Sequence, residues 1–129
     1  MDFKDDIVAI STPTGMGAIA LIRITGDNAL MKVEPFFKSR SGTSISDIKS
    51  HSILYGDFTY DDEIIDEVVL SYFAKGKSFT GQETVEISCH GSTYIQKTII
   101  EKLLTNNIRL AKAGEFTLRA FLNGKFDLT

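Results

Sequence analysis

The sequence predicts an α+β fold, a mixed or antiparallel sheet with helices packed on it. Three observations point there. Short β-branched runs recur along the chain, two of them flank a compact acidic turn near the middle, and stretches with helical spacing of apolar residues are interspersed among them. The chain of 129 residues suits one domain with a real core.

Composition narrows the class further. The chain is 43% hydrophobic and 24% charged with only 2 Pro, which excludes a disordered tail or a collagen-like segment. The longest purely apolar run, Ala18 to Ile22, is too short for a membrane-spanning helix. Met1 to Asp6 carries three Asp and one Lys, the wrong chemistry for a secretory signal, so a soluble cytoplasmic domain is expected. One Cys and two His leave no internal disulfide and no metal cluster. The net charge of −3 argues against a generic nucleic-acid-coating module. Six acids, Asp57, Asp61, Asp62, Glu63, Asp66 and Glu67, read as a solvated acidic hairpin. From Lys97 onward basic residues outnumber acids, which leaves open a mildly basic face for an anionic ligand.

Taken in order, Asp6 to Ser11 is a β-branched run ending at the turn-rich 12–17, and Ala18 to Thr25 is apolar apart from Arg23. They read as neighbouring strands, the second buried on both faces. A helix follows with Ala29, Leu30, Val33 and Phe37 at helical spacing, Asp27 as N-cap and Pro35 ending it. Residues 38–50 are a polar, Ser-rich loop. His51–Phe58 and Ile64–Phe73 form a hairpin, with Ile65, Val68, Leu70 and Tyr72 on its buried face. In Thr84–Cys89, Val85, Ile87 and Cys89 share one face and Thr84, Glu86 and Ser88 the other. Thr93 and Gln96 form a capping box for a helix carrying Ile95, Ile99 and Leu103, closed at Asn106-Asn107. Ile108–Leu110 is a short strand, and a last helix runs from Ala113-Gly114 to Asn123-Gly124. Phe36, Phe37, Phe73 and Phe79 are read as apolar positions a partner could cover.

Few residues carry chemistry on their own. Gly76-Lys77-Ser78 lacks the first glycine of a phosphate-binding loop, since Ser71 stands there, so no nucleotide is expected. Cys89 and His90 point to opposite faces of a strand, which disfavours a thiolate–imidazole pair; Cys89 reads as a small buried hydrophobe and His90 as a turn residue. Arg23 is the only charge in its apolar strand and needs a partner. A salt bridge to Glu86 and contact with a ligand both satisfy it. Glu86 in turn is either a carboxylate for a heterocycle's paired donors or an exposed strand residue.

Four ordered motifs resolve the family. Gly114-Glu115-Phe116-Thr117-Leu118-Arg119-Ala120-Phe121-Leu122-Asn123-Gly124-Lys125 resembles the GEFTxRAFLNGK segment of the N-terminal domain of the MnmE (TrmE) family of tRNA-modification GTPases. Asp6–Pro13, Gly17–Gly26 and Phe79–Gly91 are similar to the family's opening strand, its GAIAIxRxSG strand, and its [YF]TGEDxVEIxCHGG loop and strand. Thr14, Met16, Gln82 and Ser92 depart from those patterns, and Met16 removes a basic side chain that would favour an anion.

The resemblance implies a domain spanning 1–129 that is similar to the folate-binding domain of the glycine-cleavage aminomethyltransferase. It implies homodimerisation and binding of 5-formyl-tetrahydrofolate. The whole protein, with the FAD-containing MnmG (GidA), would add an aminomethyl-type group to the wobble uridine of tRNA. GTP, Mg and K would belong to a G domain which, like the helical domain, is outside this chain, so no GTPase activity and no catalytic residue are expected here. By motif position the implied folate contacts are Arg23, Glu86 and Lys125. A carboxylate such as Glu86 accepts the pterin's amide N–H and amine, Arg23 stacks on or donates to the ring, and Lys125 meets the formyl oxygen or the glutamate tail. The alternative is a dimerisation scaffold that has lost folate binding. A stand-alone aminomethyltransferase-like enzyme is disfavoured by the short chain and by the 114–125 string.

Overall fold

The computed structural model describes residues 4–11 and 18–124. Among them, one seven-stranded sheet carries three α-helices, as the α+β reading expects. The strands are β1 (Asp6–Ile10), β2 (Ile19–Thr25), β3 (Phe37–Ser39), β4 (Ser52–Tyr60), β5 (Glu63–Phe73), β6 (Thr84–His90) and β7 (Ile108–Leu110). The helices are α1 (Ala29–Val33), α2 (Thr93–Leu104) and α3 (Glu115–Leu122). Strand order is β3-β4-β5-β6-β2-β1-β7, antiparallel throughout except for the parallel β1–β7 pair. No helix among the described residues is long and apolar enough to cross a membrane.

The two sheet faces differ. Val8, Ile22, Ile24, Val85, Ile87 and Leu70 lie on one face and form the core with Leu30 and Val33 of α1 and Ile99 and Leu103 of α2. Across the other face run Arg23, its β6 partner Glu86 and the neighbouring β5 residue Ser71. β2 is fully buried on its core face, through Ala20, Ile22 and Ile24, whereas its other face runs from exposed Ile19 through half-buried Leu21 and Arg23 to buried Thr25. The apolar run 18–22 hid this alternation, because both faces of β2 carry apolar side chains.

Several local expectations are corrected. Asn28, not Asp27, stands at the N-cap of α1, and its side chain caps nothing. Remote carboxylates take over: Asp6 Oδ1 accepts the Asn28 N–H at 2.9 Å and Glu83 Oε1 the Leu30 N–H at 2.8 Å. Ser92, one residue before Thr93, caps α2, its Oγ accepting the Ile95 N–H, while the Gln96 amide donates to Gly91 O. The stretch 38–50 is not all loop; it contains most of β3 and a single 3₁₀ turn at Ile45–Asp47.

The hairpin turns on Asp61-Asp62, both at positive φ (50° and 64°), the backbone of a two-residue type I′ turn. Its register shifts between Phe58 and Thr59, so Thr59 opposes Ile64 while Phe58 opposes Asp66. Ile65 is the extra residue of a bulge; it is half-buried and packs against the core as expected, while its neighbour Asp66 is buried as well. The acidic segment is thus partly structural. Asp66 is buried, and Asp57 and Glu67 both pair with Arg40 of the loop after β3. Phe36 and Phe37 are core residues rather than a partner surface, with Phe36 stacked on Phe58 at 5.5 Å. Phe79 is half exposed.

Candidate functional site

Arg23 and Glu86 are direct cross-strand partners in the β2–β6 ladder, both partly buried. Arg23 Nε donates to Glu86 Oε2 at 2.7 Å, and a terminal guanidinium nitrogen reaches the same oxygen at 2.7 Å. Glu86 Oε1 is left without a hydrogen bond among the described residues. The pair therefore satisfies Arg23 and still keeps one carboxylate oxygen available. The Phe79 ring lies 6.0 Å from the Arg23 guanidinium.

Two structures border this pair on its own face of the sheet. On one side the loop 74–83 and α3 lie over the sheet. Thr25 and Thr84 bond the Thr80 hydroxyl, and Asn123 Nδ2 donates to Thr80 O at 2.9 Å. Arg23 lines a cleft of about 300 Å³ with Ala9, Ser11 and the segment 111–117 that leads into α3. Toward the other end the sheet is bare, and Ile19, Tyr55 and Ile53 are 67%, 49% and 69% exposed. A shallow hollow of about 290 Å³ runs there between Ile19, Tyr55, Val69 and His90. Lys125, the third residue implied by the resemblance, lies outside the described residues, as does the turn containing Met16.

The structure adds residues the motifs did not single out. Arg119 is fully buried, and its guanidinium donates to Asp5 O, Asp5 Oδ1, Gln82 Oε1 and Glu115 Oε2. Arg109 joins from β7, bonding both oxygens of Glu115 and Asp5 Oδ2. Two of the six C-terminal basic residues are therefore consumed internally. The hydrogen bond from Arg109 is the main cause holding the Glu115 carboxyl down at about 2 against the opposing effect of burial, with the Lys112 N–H and Arg119 assisting. The acid–Arg spacing of one helical turn, Glu115 to Arg119, was the available sequence signal.

His90 is the last residue of β6 rather than part of a turn. Its Nδ1 lies 2.7 Å from Asp66 Oδ1, and its main-chain N–H donates to Asp66 Oδ2 at 2.8 Å. A carboxylate partner assigns the proton to Nδ1. Cys89 is buried on the other face, and desolvation pushes its thiol up to about 11. Two main-chain N–H groups and the hydroxyl of Gly76-Lys77-Ser78 are spent inside their own loop: Gly76 N–H donates to Gly81 O, Lys77 N–H to Ala74 O, and Ser78 Oγ to Gln82 O.

With this geometry in hand, residues 6–125 match the family model described as GTP-binding protein TrmE N-terminus. The chain belongs to the TrmE N-terminal family. The tRNA modification GTPase MnmE of Flavobacterium psychrophilum is 53% identical over 129 residues, covering all of this chain and 28% of its own length. The MnmE of Christiangramia forsetii is 50% identical, covering 100% of this chain and 27% of its own length. That of Clostridioides difficile is 46% identical, with 100% and 28% covered. This TrmE N-terminal chain thus spans between a quarter and a third of the length of the relatives it matches.

Proposed function

We propose that this TrmE N-terminal domain binds 5-formyl-tetrahydrofolate and forms the homodimer of a cytoplasmic tRNA-modification GTPase. With the flavoprotein MnmG, the full-length protein would add an aminomethyl-type group to the wobble uridine of tRNA. GTP with Mg and K would be handled by a G domain elsewhere in that protein, so this domain supplies binding and assembly rather than hydrolysis.

One observation carries the folate reading: Glu86 holds the cleft-lining Arg23 through a single oxygen and leaves Oε1 without a hydrogen bond among the described residues. A pterin presents an amide N–H and an exocyclic amine side by side, and a carboxylate accepts such donors. Arg23, fixed by Glu86 and close to the Phe79 ring, supplies a planar cation for the ring system. Lys125, three residues beyond the end of α3 in sequence, is assigned to the formyl oxygen or the glutamate tail. For the dimer, the support is the half of the sheet that no helix among the described residues covers, where Ile19, Ile53 and Tyr55 are exposed beside the Arg40–Glu67 pair and a second copy would cover them.

A second reading has its own observation. Arg23 and Glu86 already satisfy each other, as they would in a dimerisation scaffold without ligand. Calorimetric titration of the full-length protein with 5-formyl-tetrahydrofolate, paired with sedimentation equilibrium, separates the two. Saturable binding by a dimer is expected. A dimer that takes up no folate leaves the scaffold, and a concentration-independent monomer removes the assembly role.

A further inference from the structure

Arg119 heads the fully buried side chains by volume, yet it is a charged group. A guanidinium in that position is tolerated here with both terminal nitrogens matched, and an apolar side chain of similar volume would serve stability as well. What the guanidinium provides instead is direction. Its bonds reach Asp5 ahead of β1 (2.7 Å to the main-chain oxygen, 2.6 Å to Oδ1), Gln82 in the loop 74–83 (3.0 Å) and Glu115 in the first turn of α3 (3.0 Å). Asn123, one turn on, adds a second link from α3 to the same loop at Thr80 O.

These segments are the ones that surround Arg23. The first turn of α3 forms the far wall of its cleft, the loop 74–83 brings Phe79 to its guanidinium, and that loop runs on into the strand that carries Glu86. We propose that Arg119 is a positioning residue of the folate site. It is fully buried and touches no ligand; it sets the separation between the α3 wall and the Arg23–Glu86 pair by tying α3, the loop 74–83 and the N-terminal segment to one rigid planar group. The proposal rests on the folate-binding reading above.

The test uses the full-length protein with three variants. Arg119→Lys keeps the charge but loses the planar fork, and Gln82→Leu removes the side-chain acceptor that links the loop to Arg119. Leu103→Ala opens the core under α2, on the opposite sheet face, and serves as the control for lost stability. Each is titrated with 5-formyl-tetrahydrofolate at a temperature where it is folded, and amide hydrogen exchange is followed over 79–83 and 115–124. Arg119→Lys and Gln82→Leu are expected to weaken folate binding at least tenfold and to speed exchange in both segments together. Leu103→Ala is expected to melt lower while keeping the affinity. Unchanged affinity in folded Gln82→Leu and Arg119→Lys, or an equal loss in Leu103→Ala, overturns the proposal. If Arg119→Lys fails to fold, Gln82→Leu decides alone. A wild-type protein that binds no folate overturns the folate reading itself; the exchange measurement then still distinguishes a shared clamp, with both segments loosening together, from two segments held independently.

Discussion

Glu86 meets both Nε and a terminal nitrogen of Arg23 with one oxygen, each at 2.7 Å, and contributes the other oxygen to no bond among the described residues. A bidentate fork would have spent both oxygens. The single-oxygen arrangement leaves the pair with one unused acceptor, beside the part of the sheet face that the loop 74–83 and α3 cover.

Gly26, directly after β2, fixes how the chain turns toward α1 and is expected to tolerate no side chain. Its φ is +154°, and a Cβ there would stand 2.6 Å from Asp6 Cα and 2.8 Å from Asp5 O. Gly26→Ala should cost about 3 kcal/mol from strain and overpacking together. Thermal melting should show a Tm lower by roughly 10 °C for a domain of this size. An unchanged Tm would mean that Asp5 and Asp6 move freely, contrary to their bonds with Arg119, Arg109 and Lys32.

Acid should release α3 first. The Glu115 carboxyl is held at about 2 against an ordinary 4.5, chiefly by the hydrogen bond from Arg109. Asp5 is lowered too: burial opposes the shift, and the hydrogen bonds from Arg109 and Arg119 outweigh it. A depressed carboxyl contributes stability that is complete above its unfolded value and lost as pH falls through its folded one. The window therefore runs from about 4.5 down to about 2. Glu115 should contribute at most about 3 kcal/mol there. In urea titrations, wild type should lose more stability across that window than Glu115→Gln, and parallel curves would refute the assignment.

Much of this fold was legible because its signals are local. The hairpin was visible in two β-rich runs around Asp61-Asp62, and the split of Val85, Ile87 and Cys89 from Glu86 and Ser88 followed from simple alternation. The errors are non-local. Asp27 looks like a cap, but Asp6 and Glu83 reach α1 from elsewhere in the fold. The bulge at Ile65 turns Asp66 inward, which no alternation rule anticipates. Phe36 and Phe37 read as available to a partner in the sequence, but Phe58 meets both across the sheet. In the site, Arg23 and Glu86 were identifiable as an isolated charge and its opposite, whereas the tertiary network around Arg119 emerges only when Asp5, Gln82 and α3 meet.

Nucleotide should have no effect on this domain. The Gly76 and Lys77 N–H groups and the Ser78 hydroxyl, which would have to cradle phosphate, are bonded to carbonyls of their own loop. GTP with magnesium should leave the Tm of the 129-residue chain unchanged. A saturable rise would show that this loop opens to accept phosphate.

A calorimetric comparison of Glu86→Ala with Lys125→Ala in the full-length protein tests most directly which end of the ligand each of these residues would hold. In the proposed folate site Glu86 would face the pterin's paired donors, and its loss would strand them, costing roughly 1–3 kcal/mol or a tenfold to hundredfold drop in affinity. Lys125 is assigned to the charged, more solvated end, where water and salt replace it at about 1 kcal/mol. The predicted result is folded protein in both variants, with Glu86→Ala the weaker binder of 5-formyl-tetrahydrofolate. Normal binding by Glu86→Ala, or a greater loss in Lys125→Ala, would contradict the assignment of Glu86 to the pterin.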